Sequence, residues 1–243
     1  MKTLILAAGE GKRLRPLTTD KPKPLVEICG RPIIEWQILW LKRYGVDSFI
    51  ILAGYKWDKL IEYLGSGSRL GVRISYSIEE EPLGTGGALK NAEHVLKSEE
   101  VFLVINGDII TNIDPRPLIN IVKDSESVVG AIAAVPMRSP YGILKILSND
   151  YIDTFIEKPT LPEYLINAGL YALKPSIFEY LPQRGDIEKT TFPYLAKMRR
   201  LRAVRYYDVY WKAIDTIKDL EEASNEIPKI FPNIDISKEQ ESK

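Results

Sequence analysis

The feature that most constrains this 243-residue chain is a change of hydrophobic pattern near residue 126. Before it, short apolar runs alternate with stretches that carry apolar residues at helical spacing. Thr3–Ala7, Ser48–Leu52, Val72–Tyr76 and Val101–Ile105 read as strands. Ile33–Tyr44, Lys56–Leu64, Gly86–Lys97 and Pro115–Lys123 read as helices, and Gly45 follows the first of them as a stop signal. This β-α-β-α alternation predicts a mostly parallel sheet with helices on both faces. After the change, Val128–Val135, Gly142–Leu147, Tyr151–Glu157 and Leu165–Leu173 read as strands in near succession. Helices are expected at Ser176–Leu181, Glu188–Lys197 and Thr216–Asn225, and a strand at Leu201–Tyr206. The second half is therefore expected to be α+β, largely antiparallel, and laid against the first. Residues 1–230 form one expected domain, divided at about 126/127, and 231–243 a polar tail that frays over Ser237–Lys243. No internal repeat or long linker stands out.

Charge and rare residues narrow the chemistry. Lys plus Arg and Asp plus Glu each number 33, so no global basic field is available to hold nucleic acid. No apolar run approaches the roughly 20 residues of a membrane span, and the apolar part of the N-terminus is too short for a signal peptide. Cys29 is the single cysteine, which excludes an internal disulfide and points to a reducing, cytoplasmic setting. His94 is the single histidine, which excludes a His cluster for zinc. A Ser-His-Asp triad would have to use His94, which the pattern places mid-helix. Chemistry is left to carboxylates, Lys, Arg, backbone amides and a metal.

The first strand runs into Gly9-Glu10-Gly11-Lys12-Arg13. Glycines there let the backbone turn and bring its N–H groups against a phosphate, at the strand edge where open α/β sheets bind ligands. A Rossmann fingerprint needs a third glycine opening a helix, but position 14 is Leu and Pro16 is close behind. A P-loop needs Gly-Lys-Ser/Thr, but Gly11-Lys12 is followed by Arg13. The loop instead concentrates cations: Lys12, Arg13 and Arg15, then Lys21 and Lys23 between prolines that fix the backbone around Lys23.

The stretch Leu6-Ala7-Ala8-Gly9-Glu10-Gly11-Lys12-Arg13-Leu14-Arg15-Pro16-Leu17-Thr18, followed by Lys21-Pro22-Lys23-Pro24-Leu25-Val26, resembles the signature of the sugar-1-phosphate nucleotidyltransferases. The resemblance extends over nearly all of residues 1–225. It implies an α/β domain with a Rossmann-like core, an α+β sugar-binding part and no left-handed β-helix. It implies that Leu6, Ala7, Ala8, Gly9, Gly11 and Lys12 wrap a triphosphate, that Arg13 neutralises the departing pyrophosphate and that Lys23 contacts phosphates near the reacting centre. Position 12 is more often a small hydroxyl residue in that family, so Lys12 adds charge.

Nucleotidyl transfer needs positioning and charge neutralisation more than covalent help. Mg²⁺ is the expected cofactor, held by one or two carboxylates. Asp108 follows an apolar strand in Asn106-Gly107-Asp108 and is the first candidate; capping the next turn is its other use. The family pattern of Trp, then Asp two residues on, meets Trp211 and Ala213 here, and Asp215 stands two residues further. Asp215 is the candidate second ligand, or it caps the helix that starts near Thr216.

Glu79-Glu80-Glu81-Pro82-Leu83-Gly84-Thr85-Gly86-Gly87-Ala88 lies between a strand and a helix. Its glycines would let a base or ribose approach the backbone, and a carboxylate accepts from guanine N1–H and N2. This run resembles the guanylyltransferase branch, including the mannose- and heptose-1-phosphate enzymes, with Glu79, Gly84 and Thr85 at the nucleotide. Gly142 in Tyr141-Gly142, Glu157 and Lys158 before Pro159, Asn167 in Asn167-Ala168-Gly169, and Glu188 match the family's sugar-phosphate residues in order. The implied reaction joins an NTP and a sugar-1-phosphate into an NDP-sugar and pyrophosphate. The alternatives are UTP, dTTP or CTP with glucose-1-phosphate, phosphocholine or inositol phosphate, or a non-catalytic nucleotide-sugar-binding subunit. The expected partners are these small molecules, with no nucleic acid and no membrane; a homo-oligomer is left open.

Overall fold

The computed structural model describes residues 1–232. Its strands are β1 (Lys2–Ala7), β2 (Glu27–Ile28), β3 (Arg31–Pro32), β4 (Ser48–Ala53), β5 (Arg73–Ile78), β6 (Phe102–Asn106), β7 (Ile109–Thr111), β8 (Gly130–Arg138), β9 (Ile143–Ile146), β10 (Ile152–Ile156), β11 (Thr160–Leu173), β12 (Leu201–Arg205) and β13 (Trp211–Ala213). The helices are α1 (Ile33–Lys42), α2 (Trp57–Leu64), α3 (Gly84–Asn91), α4 (Arg116–Lys123), α5 (Thr191–Lys197) and α6 (Ile217–Ile230).

Seven strands form one sheet in the order β12-β8-β11-β6-β1-β4-β5. The pairs β6/β1, β1/β4, β4/β5 and β12/β8 are parallel, while β11 is antiparallel to both β6 and β8. The period of two along each strand decides the layers. In β1, Ile5 joins a core with Trp36, Leu41, Leu60, Leu118 and Ile227, from α1, α2, α4 and α6. Its neighbour Leu4 joins the opposite core with Leu89, Phe178 and Leu195, from α3, a 3-10 turn and α5. The result is a mixed, mostly parallel α/β sheet with helices on both faces.

The second half does not form a layer of its own. β11 is 14 residues long, and its end, Leu170–Leu173, pairs with β6 on one side while Tyr171–Leu173 pairs with β8 on the other. A run buried from Ala168 to Leu173 fits a sheet interior rather than a covering surface. Three expected helices also change. α3 stops at Asn91 and Glu93–Val95 is a 3-10 turn, so His94 is not mid-helix. Pro175–Glu179 is 3-10, and α5 begins only at Thr191. Three two-stranded ribbons lie outside the main sheet: β2–β3, β7–β13 and β9–β10. Among the described residues no helix is long and apolar enough to cross a membrane. The fraying expected over Ser237–Lys243 lies outside the described residues.

Candidate active site

β1 ends at the carboxyl edge of the sheet, beside the end of β6. Gly107 lets the two chain segments close there: its N–H donates to the Leu6 carbonyl at 2.9 Å, and a Cβ at this position would stand 2.4 Å from that oxygen. Gly11 turns the loop with a φ of +62°, its carbonyl accepts from Thr18 Oγ1 at 2.9 Å, and buried Leu14 anchors the following 3-10 turn. A cavity of about 590 Å³ opens at this edge. It is bordered by Leu6, Ala7, Ala8, Gly9, Gly11, Lys12, Arg13, Lys23, Glu79, Gly84, Thr85, Asp108 and Asp215, so the structure brings together the expected nucleotide and metal residues. Glu10, Asn106 and Asp186 also border it and were not foreseen as site residues.

The deepest charges form one cluster. Lys23 Nζ donates to Asp108 Oδ2 at 2.8 Å and to Asp215 Oδ1 at 2.7 Å, and an Arg13 Nη donates to the same Asp215 oxygen at 2.8 Å. The Lys23 side chain is 13% exposed and that of Arg13 72%, so the lysine is fixed inside while the arginine reaches into solvent. Asp215 arrives by way of the β7–β13 ribbon. Ala213 pairs with Ile109, and the Ile214 N–H donates to the Asp108 carbonyl at 2.9 Å. The cap of α6 is Thr216, not Asp215: Thr216 and Asp219 form a reciprocal capping box. That leaves the Asp215 carboxylate for Lys23 and Arg13. Lys212, mostly buried, bridges Glu222 at 2.9 Å and Glu226 at 2.8 Å and so ties β13 to α6 on either side of Asp215. Two carboxylate oxygens thus converge on one cationic position. That donor set fits a hard divalent ion whose remaining ligands are phosphate oxygens and water.

Glu79 and Asn106 each carry an unpartnered acceptor. Glu79 Oε2 and Asn106 Oδ1 are buried without a hydrogen-bond partner among the described residues, and both residues border the cavity. Burial pushes the Glu79 carboxyl up from its ordinary value, and a bond from the Leu83 N–H pulls it partly back.

The glycines of α3 also make room for a neighbouring loop. The carbonyl of Gly185 accepts from the N–H groups of Gly86 and Gly87 at 2.9 and 3.2 Å, and the Gly185 N–H donates to Leu83 O at 2.7 Å. A Cβ on Gly84 or Gly86 would stand 2.8 or 2.9 Å from Gly185, and one on Gly87 2.7 Å from Gln183 O. The missing side chains make room for protein, the 182–185 loop, and that loop takes up free donors at the helix start. Thr85 continues the seam: its Oγ1 donates to Glu188 Oε2 at 2.6 Å and accepts from the Ile187 N–H at 2.9 Å. This docking also delays α5, because Ile187 and Glu188 are engaged with α3.

The five expected sugar-phosphate residues fall into two groups, neither bordering the cavity. Asn167 Nδ2 donates to the Tyr171 hydroxyl at 2.9 Å, and that hydroxyl lies 3.3 Å from Glu188 Oε1. Burial, then the neighbouring Glu188 charge, pushes the Tyr171 hydroxyl well above its ordinary range, so it stays a proton donor. Gly142, Glu157 and Lys158 lie instead at the base of the β9–β10 ribbon. A Cβ on Gly142 would be 2.9 Å from Glu157 Oε2, and Lys158 pairs with Glu157 at 3.4 Å.

The nucleotidyl transferase family model matches residues 2–230. The mannose-1-phosphate guanyltransferase of Candida albicans is 40% identical over 232 residues, which are 90% of this chain and 62% of that protein. The mannose-1-phosphate guanyltransferase of Saccharomyces cerevisiae is 38% identical over 231 residues, with the same coverage. The chain therefore spans 62% of the length of these relatives. Among solved structures, HddC from Yersinia pseudotuberculosis is 30% identical with a TM-score of 0.72, covering 93% of this chain and 99% of that one. The same protein complexed with GMP-PN is similar at 29% identity with a TM-score of 0.70.

Proposed function

From its membership of the nucleotidyl transferase family, to which this chain belongs, we propose that it joins a nucleoside monophosphate from GTP to mannose- or heptose-1-phosphate and releases pyrophosphate. The observation that carries this reading is Lys23, bonded at once to Asp108 and Asp215 on the wall of a cavity formed by the glycine loop. A phosphate oxygen of the sugar phosphate attacks the α-phosphorus in line, and the bond from that phosphorus to the bridging oxygen of pyrophosphate breaks. The nucleophile is already an anion, so the reaction needs no histidine base. Lys23 stabilises charge on the transferring phosphoryl group, and Arg13, Lys12 and the loop N–H groups hold the leaving pyrophosphate. Asp108 and Asp215 would hold a Mg²⁺, which when bound neutralises phosphate charge.

Base choice is assigned to Glu79, which borders the cavity and whose carboxylate would accept from guanine N1–H and N2. On the sugar side, Glu157 takes hydroxyl hydrogen bonds, Lys158 pairs with the sugar's phosphate, and Asn167 and Glu188 orient the ring from the Tyr171 seam. A cytoplasmic setting belongs to the same reading, supported by the unpaired thiol of Cys29. A pyrophosphate-release assay over the nucleotides tests base choice. GTP is expected to lead, and UTP or dTTP better by roughly tenfold in kcat/KM would reverse it. Asp215→Ala is expected to lose Mg²⁺-dependent turnover; unchanged turnover would separate Asp215 from the metal. Ala213, at the position where the family carries its acid, favours one second reading, a non-catalytic nucleotide-sugar sensor. GTP binding without pyrophosphate release in the presence of any sugar phosphate would select it.

A further inference from the structure

We propose that Gln37 is the positioning residue for Asp108: from α1 it clamps the turn that carries this carboxylate, and so sets where a divalent ion is held. The inference rests on the function proposed above, with Asp108 as a ligand. Gln37 lies in the middle of α1 and is 1% exposed. Its Nε2 donates to Asn106 O and to Ile109 O, each at 2.8 Å. The two carbonyls stand at the end of β6 and the start of β7, and Gly107 and Asp108 lie between them. A carboxamide nitrogen carries two N–H groups, so each end of the turn takes one. The two acceptors also settle which end of the side chain faces the turn, because the amide oxygen has nothing to donate.

This arrangement has a visible cost. Gln37 Oε1 is buried with no hydrogen-bond partner among the described residues, while its helix neighbours Ile34, Ile38 and Leu41 are apolar and fully buried. Buried polar atoms are normally paired, so an unpaired one here marks a use for the rest of the group. That use is local. Gly107 has no side chain to restrict its backbone, and an unrestrained turn would be free to swing the Asp108 carboxylate. The Gly107 N–H on Leu6 O and the Ile214 N–H on Asp108 O hold the middle of the turn, and Gln37 holds both its ends. Lys23 holds the carboxylate itself, but on the proposed reading that lysine is shared with the phosphates. The Gln37 bonds act on the main chain and leave both carboxylate oxygens to the ion. Groups that orient a metal ligand in this way matter: their loss costs about 10–100-fold in metal affinity or activity.

The test reads metal binding apart from turnover. Gln37→Met nearly keeps the side-chain volume and removes both donors. Water-proton relaxation measures Mn²⁺ held by the full chain together with GTP. The variant is expected to bind Mn²⁺ roughly tenfold more weakly and to bind GTP without metal within about threefold of wild type. Its kcat is expected to fall about 10–100-fold with KM for GTP little changed. Ile38→Val, on the same helix, is the control for stability: a lower melting temperature with Mn²⁺ affinity unchanged. Gln37→Glu offers at most one O–H donor; it is expected to weaken Mn²⁺ binding as well, and it carries the test if the Met variant does not fold. Mn²⁺ affinity of Gln37→Met within about threefold of wild type, or an equal loss in Ile38→Val, overturns the proposal. Absence of pyrophosphate release from the wild-type chain counts against the proposed reaction alone, because Mn²⁺ binding still reads the clamp.

Discussion

Set side by side, the segments around Gly9 and Gly84–Gly87 differ in what fills the space their missing side chains leave. Nothing in the protein lies within 4 Å of where a Cβ on Gly9 would stand, and the segment borders the cavity. At Gly84, Gly86 and Gly87 the same space is occupied by Gly185, Pro182 and Gln183, and the helix N–H groups bond the protein itself. At Gly9 the space stays open on the cavity, whereas at Gly84, Gly86 and Gly87 it is filled by the loop that joins two halves of the chain. Similar composition therefore carries opposite consequences for mutation.

The sharpest break between the two would come beside the first segment. Lys23→Met is expected to lower kcat for pyrophosphate release by roughly 10²–10³-fold, as for other preorganised charge donors, while circular dichroism stays native. Turnover within tenfold of wild type would mean that the open segment does not serve the phosphates. In the second segment the expected loss is in stability. Gly87→Ala puts a methyl against the Gln183 carbonyl, and such overpacking costs about 1–3 kcal/mol, or a fall of about 2–4 °C in Tm per kcal/mol for a chain of this size. The sign is informative, because an unhindered Gly→Ala in a helix gains about 0.5–1 kcal/mol. An unchanged or raised Tm would show that the 182–185 loop gives way. The smallest effect belongs to Gly9→Ala: stability unchanged within about 1 kcal/mol, with KM for the NTP raised roughly tenfold by misplacement of the phosphates. A variant that loses Tm but keeps its KM would erase the contrast.

The same contrast marks how far the sequence could be read. β1, β4 and β6 lie where uninterrupted apolar runs put them, because a strand buried on both faces leaves a continuous signal, whereas the edge strand β5, with Arg73, Ser75 and Ser77 between its apolar residues, runs from Arg73 to Ile78 rather than Val72 to Tyr76. The glycine loop, Arg13 and Lys23 are legible in one nearly contiguous stretch, and Asp108 is legible separately, at the end of the apolar run that becomes β6. A glycine, however, records only that space is needed, not whether protein or ligand fills it, so the glycines of 84–87 read from sequence as room for a base or ribose. β7 and β13 have three residues each, too few to show a period, and so the route by which Asp215 reaches Lys23 was invisible even though the pairing of Asp108 with Asp215 was anticipated. Asp186 enters the site through the approach of a separate segment, which no local pattern encodes.

The short β7–β13 ribbon also sets an order of events in time. Lys23 and Asp215 stand 192 positions apart, and they meet through a strand pair that needs β13 to have been made. A chain still emerging from the ribosome carries the glycine loop, Lys23 and Asp108 long before their fourth partner. On the proposed function, the capacity to grip a triphosphate is thereby tied to the synthesis and pairing of β13. A nucleotide that binds only after that pairing would act as a late fastener, worth about 2.7 kcal/mol at a hundredfold excess over its Kd.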